Sequence, residues 1–300
     1  MSITVDQNGS CAGRVAVITG AGRGLGAEYA RRLAAAGAAV VVNDLGVGLD
    51  GTPEGSSPAE QVVAEIRAAG GQAAASGHDV TSWQQAGELV GYAVEQFGRL
   101  DILVNNAGVL RDRSITRMSE AEWDSVIGVH LKGGFATTHH AACYWRERHA
   151  ADPGQTGRLI NTTSVSGLFG NVGQANYSAA KAGIAAMTIV ASLELARYGV
   201  TANCVSPGAA TRMTADLGGD RDPDDPRRSP KFPAAVVEWL ASARSHGVTG
   251  RVFLTSGARL AVANGWEHGT PRTPSLDLDE LDGILRELLA GARPNAGMRG

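Results

Sequence analysis

The chain has 300 residues, 43% of them hydrophobic, with 27 basic against 30 acidic side chains and a formal charge of −3. That is enough apolar material for a sizeable core, and the length permits one or two domains, of which one is favoured. Near-balanced charge without a long basic run argues against a nucleic-acid partner, and no apolar stretch reaches membrane-span length, so no membrane partner is expected.

Arg14-Val15-Ala16-Val17-Ile18-Thr19 reads as a buried strand that runs into Gly20-Ala21-Gly22-Arg23-Gly24-Leu25-Gly26. Glu28 to Ala36 is rich in good helix formers, and Gly37 is placed to end that helix in the left-handed conformation. Strand, glycine loop and helix together form a dinucleotide-phosphate site: small residues let the backbone approach a pyrophosphate, and the helix N-terminus offers free N–H groups. A second strand, Ala39-Val40-Val41-Val42-Asn43-Asp44, ends in a carboxylate at the spacing of the dinucleotide fingerprint. Asp44 can accept hydrogen bonds from adenosine ribose hydroxyls and would repel a 2′-phosphate, which favours NAD over NADP. Arg23 is the counterweight, since a guanidinium in the loop could pair with that phosphate. Gly46 to Pro58 is Gly/Pro/Ser-rich and is expected to form a loop beside the adenosine end of the cleft.

Further apolar runs at Leu100–Asn105, Leu159–Thr163, Thr201–Ser206 and Val252–Thr255 alternate with helical stretches. This predicts an α/β fold with a doubly wound, parallel, Rossmann-type sheet and helices on both faces. Ligands bind beyond the carboxyl ends of such strands, where Gly20, Asp44, Asn106, Ser164 and Pro207 fall. Tyr177 and Lys181 lie four apart on a helix and share a face, so the lysine charge is expected to lower the phenol pKa and make Tyr177 a proton donor and acceptor. Ser164, at a strand end, could hold a substrate oxygen beside the phenol.

Ala182 to Leu193 is apolar nearly all round, so that helix needs burial on both sides. One side can cover the sheet; the other meets either a second subunit or more of the same chain. Gly218 to Pro233 holds Asp220, Asp222, Asp224 and Asp225, then Arg227, Arg228 and Lys231, and is not expected to pack as regular structure. It reads as a solvated loop, or as a basic patch that could meet phosphate groups of a ligand. After Pro271 and Pro274, Leu278, Leu281, Leu285 and Leu288 recur at helical spacing, predicting a tail helix that docks on its own domain or on a neighbour. Residues 292–300 are expected to be disordered.

Cys11, Cys143 and Cys204 are widely spaced and lack metal-ligand spacing, which suggests a reducing compartment without disulfides or a metal site. Met1 to Cys11 has neither the basic start nor the apolar core of a secretory signal, and the final residues are not a Ser-Lys-Leu address, leaving cytoplasm as the default.

Thr19-Gly-x-x-x-Gly24-x-Gly26, Asn105-Asn106-Ala107-Gly108, Ser164 and Tyr177-x-x-x-Lys181 occur in the order of the short-chain dehydrogenase/reductase family, which the chain resembles from about residue 12 to 268. The resemblance implies that Ser164 orients the substrate oxygen, Tyr177 transfers its proton, and Lys181 binds the nicotinamide ribose while tuning Tyr177. It further implies that Asp79 and Val80 flank the adenine, that Asn106, Ala107 and Gly108 line the cofactor cleft, and that Pro207-Gly208 passes the nicotinamide. With the leucine-spaced tail it gives a dehydrogenase domain at residues 1–270 and a helical tail at 271–300, and it implies a homodimer or homotetramer through the helix after Lys181 and the one containing His130. One position departs from the pattern, because His130 stands where the family usually carries a catalytic asparagine. It could hold a water or pass a proton, or simply be a hydrogen-bonded helix histidine. Val42 to Gly46, Val109 to Ser114 and Gly170 to Tyr177 are similar to the (3R)-hydroxyacyl-CoA dehydrogenase part of peroxisomal multifunctional enzyme type 2. That likeness implies a small-molecule substrate that is a β-hydroxyacyl thioester; parts of these segments also occur in ketoacyl reductases, a steroid or small-alcohol dehydrogenase would share the motifs, and a non-catalytic dinucleotide sensor would need the glycine loop but not the Ser164, Tyr177 and Lys181 set.

Overall fold

Alternating short apolar runs and amphipathic stretches become strands and helices in the computed structural model, which describes residue 6 and residues 8–46, 57–208, 229–256, 259–293 and 296–297. Most of the expected adenosine-side loop, residues 47–56, lies outside the described residues, as do Asp220, Asp222, Asp224, Asp225, Arg227 and Arg228, and residues 294–295 and 298–300 of the expected disordered end.

The strands are β1 (Val15–Thr19), β2 (Ala39–Asn43), β3 (Ala73–Ser76), β4 (Ile102–Asn105), β5 (Gly157–Thr162), β6 (Val200–Gly208), β7 (Val252–Ser256) and β8 (Arg259–Ala263). They form one sheet in the order β3-β2-β1-β4-β5-β6-β7-β8. Every pairing from β3 to β7 is parallel, with Thr19 beside Asn43 and Asn105 beside Asn161. The doubly wound parallel sheet expected from the sequence is present, and one further strand, β8, pairs antiparallel with β7 at its edge. Chain length dictates this, because Ser256 and Arg259 are too close in sequence for the crossover of a dozen or more residues that a parallel return needs.

The helices are α1 (Gly24–Ala35), α2 (Pro58–Ala68), α3 (Trp83–Phe97), α4 (Glu120–Ile127), α5 (Gly133–Ala151), α6 (Val165–Phe169), α7 (Ala175–Glu194), α8 (Lys231–Ala241) and α9 (Leu278–Gly291), with a π-turn at Gly128–Lys132 joining α4 to α5. Local chemistry sets several ends: Ser57 and Ser82 cap α2 and α3, and Ser119 forms a capping box with Glu122 on α4. Lys231 to Pro233, expected to be irregular, instead open α8, and Pro233 is buried there.

Strand residues alternate between two packed layers. Ile18, Val40, Ile102 and Val205 meet Tyr29 and Leu33 of α1, Ile66 of α2 and Leu240 of α8. Val17, Val41, Leu103 and Leu159 meet Leu89 of α3, Trp145 of α5 and Ala191 of α7 on the other face. This is the two-sided cover that parallel strands require, and it leaves the carboxyl ends of the strands as the open edge.

Candidate active site

At that edge, the glycine loop is built so closely that Gly20 and Gly26 have no room for a side chain. A Cβ on Gly26 would lie 2.2 Å from the Gly20 carbonyl oxygen, and one on Gly20 would lie 2.7 Å from the Ala107 Cα. Asn106 braces the loop, donating from Nδ2 to the carbonyls of Thr19 and Gly20 at 3.1 Å each, while its N–H and that of Ala107 donate to Thr19 Oγ1. Arg23 is the extended N-cap residue of α1 and Leu25 lies in its first turn. Asp44 folds over the loop: Oδ2 accepts from Gly22 N at 2.9 Å and Oδ1 from Gly46 N at 2.8 Å. A backbone cradle at a helix N-terminus, with a carboxylate at its far side, fits a dinucleotide whose pyrophosphate meets N–H groups and whose ribose meets Asp44.

The other cofactor residues predicted from the sequence lie along the same edge. Asp79 and Val80 follow β3; Asp79 Oδ1 accepts from Thr81 N and Oγ1, and Val80 is buried against Gly133. Pro207 and Gly208 end β6, beside Thr255 and Ser256 of β7.

Tyr177 and Lys181 occupy one face of α7, with the lysine Nζ 5.6 Å from the phenol ring centroid. Lys181 is buried and donates to the Thr162 carbonyl at 2.6 Å, while Thr163 Oγ1 donates to the Lys181 carbonyl at 2.7 Å. The end of β5 therefore grips the lysine from both ends. Ser164, the next residue, caps α6, its Oγ accepting from Ser166 N at 3.2 Å. The electrostatics depart from the sequence expectation. Burial pushes the Tyr177 phenol above its ordinary range, with Ser164 pulling it down and Asp112 pushing it further up. Burial also lowers Lys181 from 10.5 to about 7. In both groups desolvation is the largest cause of the shift.

His130 is buried in the π-turn, its ring edge-on to Tyr177 at 5.2 Å between centroids. Nε2 sits 2.8 Å from the Val109 carbonyl and 3.1 Å from the Val109 N–H, while Nδ1 is buried without a protein partner. A Cβ on Gly108 would lie 2.2 Å from the imidazole, so that glycine makes room for the ring. Burial first and the Lys181 charge second hold the imidazole well below its usual pKa. That shift disfavours the charged imidazolium, so any role of His130 in proton transfer would fall to the neutral ring.

Some of the polar framework was not foreseen. Thr137 Oγ1 donates to Asn105 Oδ1, Asn105 Nδ2 to Asn161 Oδ1 at 2.9 Å, and Asn161 Nδ2 to Thr188 Oγ1 at 2.8 Å, which in turn lies 3.1 Å from Cys204 Sγ. This chain of bonds joins α5, β4, β5, α7 and β6 directly behind the site. The available signal was an asparagine near the carboxyl end of each of two strands, Asn105 and Asn161. A cavity of about 10 Å³, of single-water size, lies among Thr19, Asn105, His130, Asn161 and Lys181.

A doubly wound sheet with a nucleotide cradle and a Ser-Tyr-Lys group at its carboxyl edge defines a dehydrogenase-type site. The family model for short chain dehydrogenase matches residues 14–222, and the chain belongs to that family. It is an oxidoreductase acting on CH–OH groups, of a family that uses nicotinamide cofactors. It is 44% identical over 294 residues to the hydroxyacyl-CoA dehydrogenase ChsB1 of Mycobacterium tuberculosis, covering 94% of this chain and 90% of that protein. It is also 44% identical to the peroxisomal multifunctional enzyme type 2 of Mus musculus, covering 76% of this chain and 30% of that longer protein. The crystal structure of a short chain dehydrogenase from Mycobacterium avium superposes with a TM-score of 0.87 at 51% identity, covering 96% of this chain and 99% of that one. No helix among the described residues is long and apolar enough to cross a membrane.

Proposed function

We propose that the protein oxidises a (3R)-hydroxyacyl-CoA to the 3-oxoacyl thioester with NAD, in the cytoplasm, as a homodimer or homotetramer. In this assignment residues 1–270 are the dehydrogenase domain and 271–300 an appended tail. The observation that carries the chemistry is the Ser164, Tyr177 and Lys181 group beside the glycine cradle; the substrate class rests on the relatives named above, and NAD on the Asp44 carboxylate across the loop. Bound NAD would supply the hydride acceptor. Tyr177 Oη takes the proton of the substrate hydroxyl, Lys181 stabilises the phenolate when charged, and Ser164 Oγ donates to the substrate oxygen. His130 lies against the Val109 backbone and the edge of the Tyr177 ring, where its unpartnered Nδ1 could hold a water or pass a proton.

The test is NAD reduction with (3R)- and (3S)-hydroxyacyl-CoAs of several chain lengths, with free secondary alcohols and NADP in parallel. Turnover confined to the (3R) thioesters and NAD is expected; equal activity on free alcohols would remove the acyl-CoA assignment. Tyr177→Phe should lower kcat by about 10²–10⁴-fold, the range for a positioned acid–base group, with NAD binding nearly intact.

A further inference from the structure

We propose that Asn176 is a positioning residue for the proton-transfer step, holding Tyr177 in place against the stretch 109–113. The inference rests on the assignment of Tyr177 as the proton carrier. Asn176 is fully buried as the second residue of α7. Its Oδ1 accepts from Tyr177 N at 2.7 Å, and its Nδ2 donates to the Arg111 carbonyl at 2.9 Å and the Glu122 carbonyl at 3.1 Å. The N–H groups of a helix's first turn have no partner inside the helix. The carboxamide therefore satisfies the Tyr177 N–H while tying that residue to α4 and to the segment after β4.

Neighbouring bonds reinforce the tie. Arg113 N donates to the Gly173 carbonyl at 2.8 Å, and Gln174 Nε2 donates to Asp112 Oδ2 at 2.8 Å. At its other end the same stretch is held by His130 on Val109, and His130 rests edge-on against Tyr177. The contacts close a circuit: Tyr177 to Asn176, to Arg111, along the backbone to Val109, to His130, and back to the phenol. Asn176 is the link nearest the reacting residue. Removing its donors frees Tyr177 from the stretch that also carries the Asp112 carboxylate, so both the place and the ionisation of the phenol should change.

Asn176→Asp is nearly isosteric and replaces the NH2, with both of its N–H donors, by one oxygen facing two carbonyls; on protonation, one O–H donor returns. Asn176→Ser removes both donors and adds no charge. Both variants are expected to bind NAD as the parent does, by fluorescence titration. Their kcat should fall about 10- to 100-fold, the scale of an ångström-sized misplacement. Asn176→Asp should regain activity as pH is lowered, whereas Asn176→Ser should not. Without turnover, the phenolate absorbance of Tyr177, taken as the difference from Tyr177→Phe in each background, should titrate at a changed pH.

Folded variants with parental kcat and an unmoved Tyr177 titration would overturn the proposal. So would loss of stability and NAD affinity with an unmoved titration, which marks a purely structural asparagine. If the parent oxidises no alcohol while the Tyr177 titration does move in the variants, positioning stands and the dehydrogenase assignment is what fails.

Discussion

Lys181 shows how a single buried charge links reactivity to stability. Its pKa falls from 10.5 to about 7 on burial. Between those values the unfolded chain holds a proton that the folded chain has released, so its contribution to stability rises with pH. The full slope is about 1.4 kcal/mol per pH unit. Below pH about 7 both states are protonated and the contribution is flat. The Tyr177 phenol, raised above 10.0, acts with the opposite sign above that pH, so the useful window runs from about pH 7 to pH 10. Urea midpoints of Lys181→Met should therefore vary less steeply with pH across this window than those of the parent. Parallel curves would mean that the lysine keeps its charge on folding. The same residue illustrates what a sequence conveys: Tyr177 and Lys181 are four apart and their shared face was legible. The grip of Thr162 and Thr163 on Lys181, and of Asn176 on Arg111 and Glu122, joins residues far apart in the chain and left no local trace.

Elements differ in the same way. β1, β2 and β4 were readable because each carries a run rich in Val, Ile and Leu. β3 is Ala-Ala-Ala-Ser, a composition without β-branched residues that gives no strand signal, and it exists because β2 offers it an edge. The π-turn is equally silent in sequence, yet it sets His130 against Tyr177. The tail helix α9 forms where the leucine spacing placed it, held by Asp277 accepting from Asp279 N and Glu280 N. None of its residues is buried, and Leu278 and Leu289 stay about three-quarters exposed. It thus docks on nothing among the described residues of its own chain. Truncation after residue 270 should change the unfolding free energy of the monomer by less than about 0.5 kcal/mol, the usual size of surface changes. A loss of several kcal/mol in urea unfolding would show that the tail packs on its own domain.

For the whole molecule, the question is what covers α7. Its inner side lies on the sheet, but Ile189, Val190 and Leu193 remain 47%, 50% and 74% exposed, so the described part of the chain does not bury that side. Phe135 on α5 and Trp83 on α3 add a further exposed apolar region. A second copy is the expected cover, and the parent should sediment as a dimer or tetramer. Leu193→Asp should shift it toward monomer, because a carboxylate buried at an apolar contact is costly. A parent that is monomeric at working concentration would rule out subunit contact there. The hydrogen-bonded series from Thr137 through Asn105, Asn161 and Thr188 to Cys204 also acts on the molecule as a whole. A strand shifted by one residue turns every side chain to the opposite layer. Were β5 to anneal one step out of phase, the Asn161 amide would be stranded in hydrocarbon on the wrong side, and the amides and hydroxyls it serves would lose their mates. Each such orphan costs about 1–3 kcal/mol, so the polar seam proofreads strand alignment while the sheet assembles.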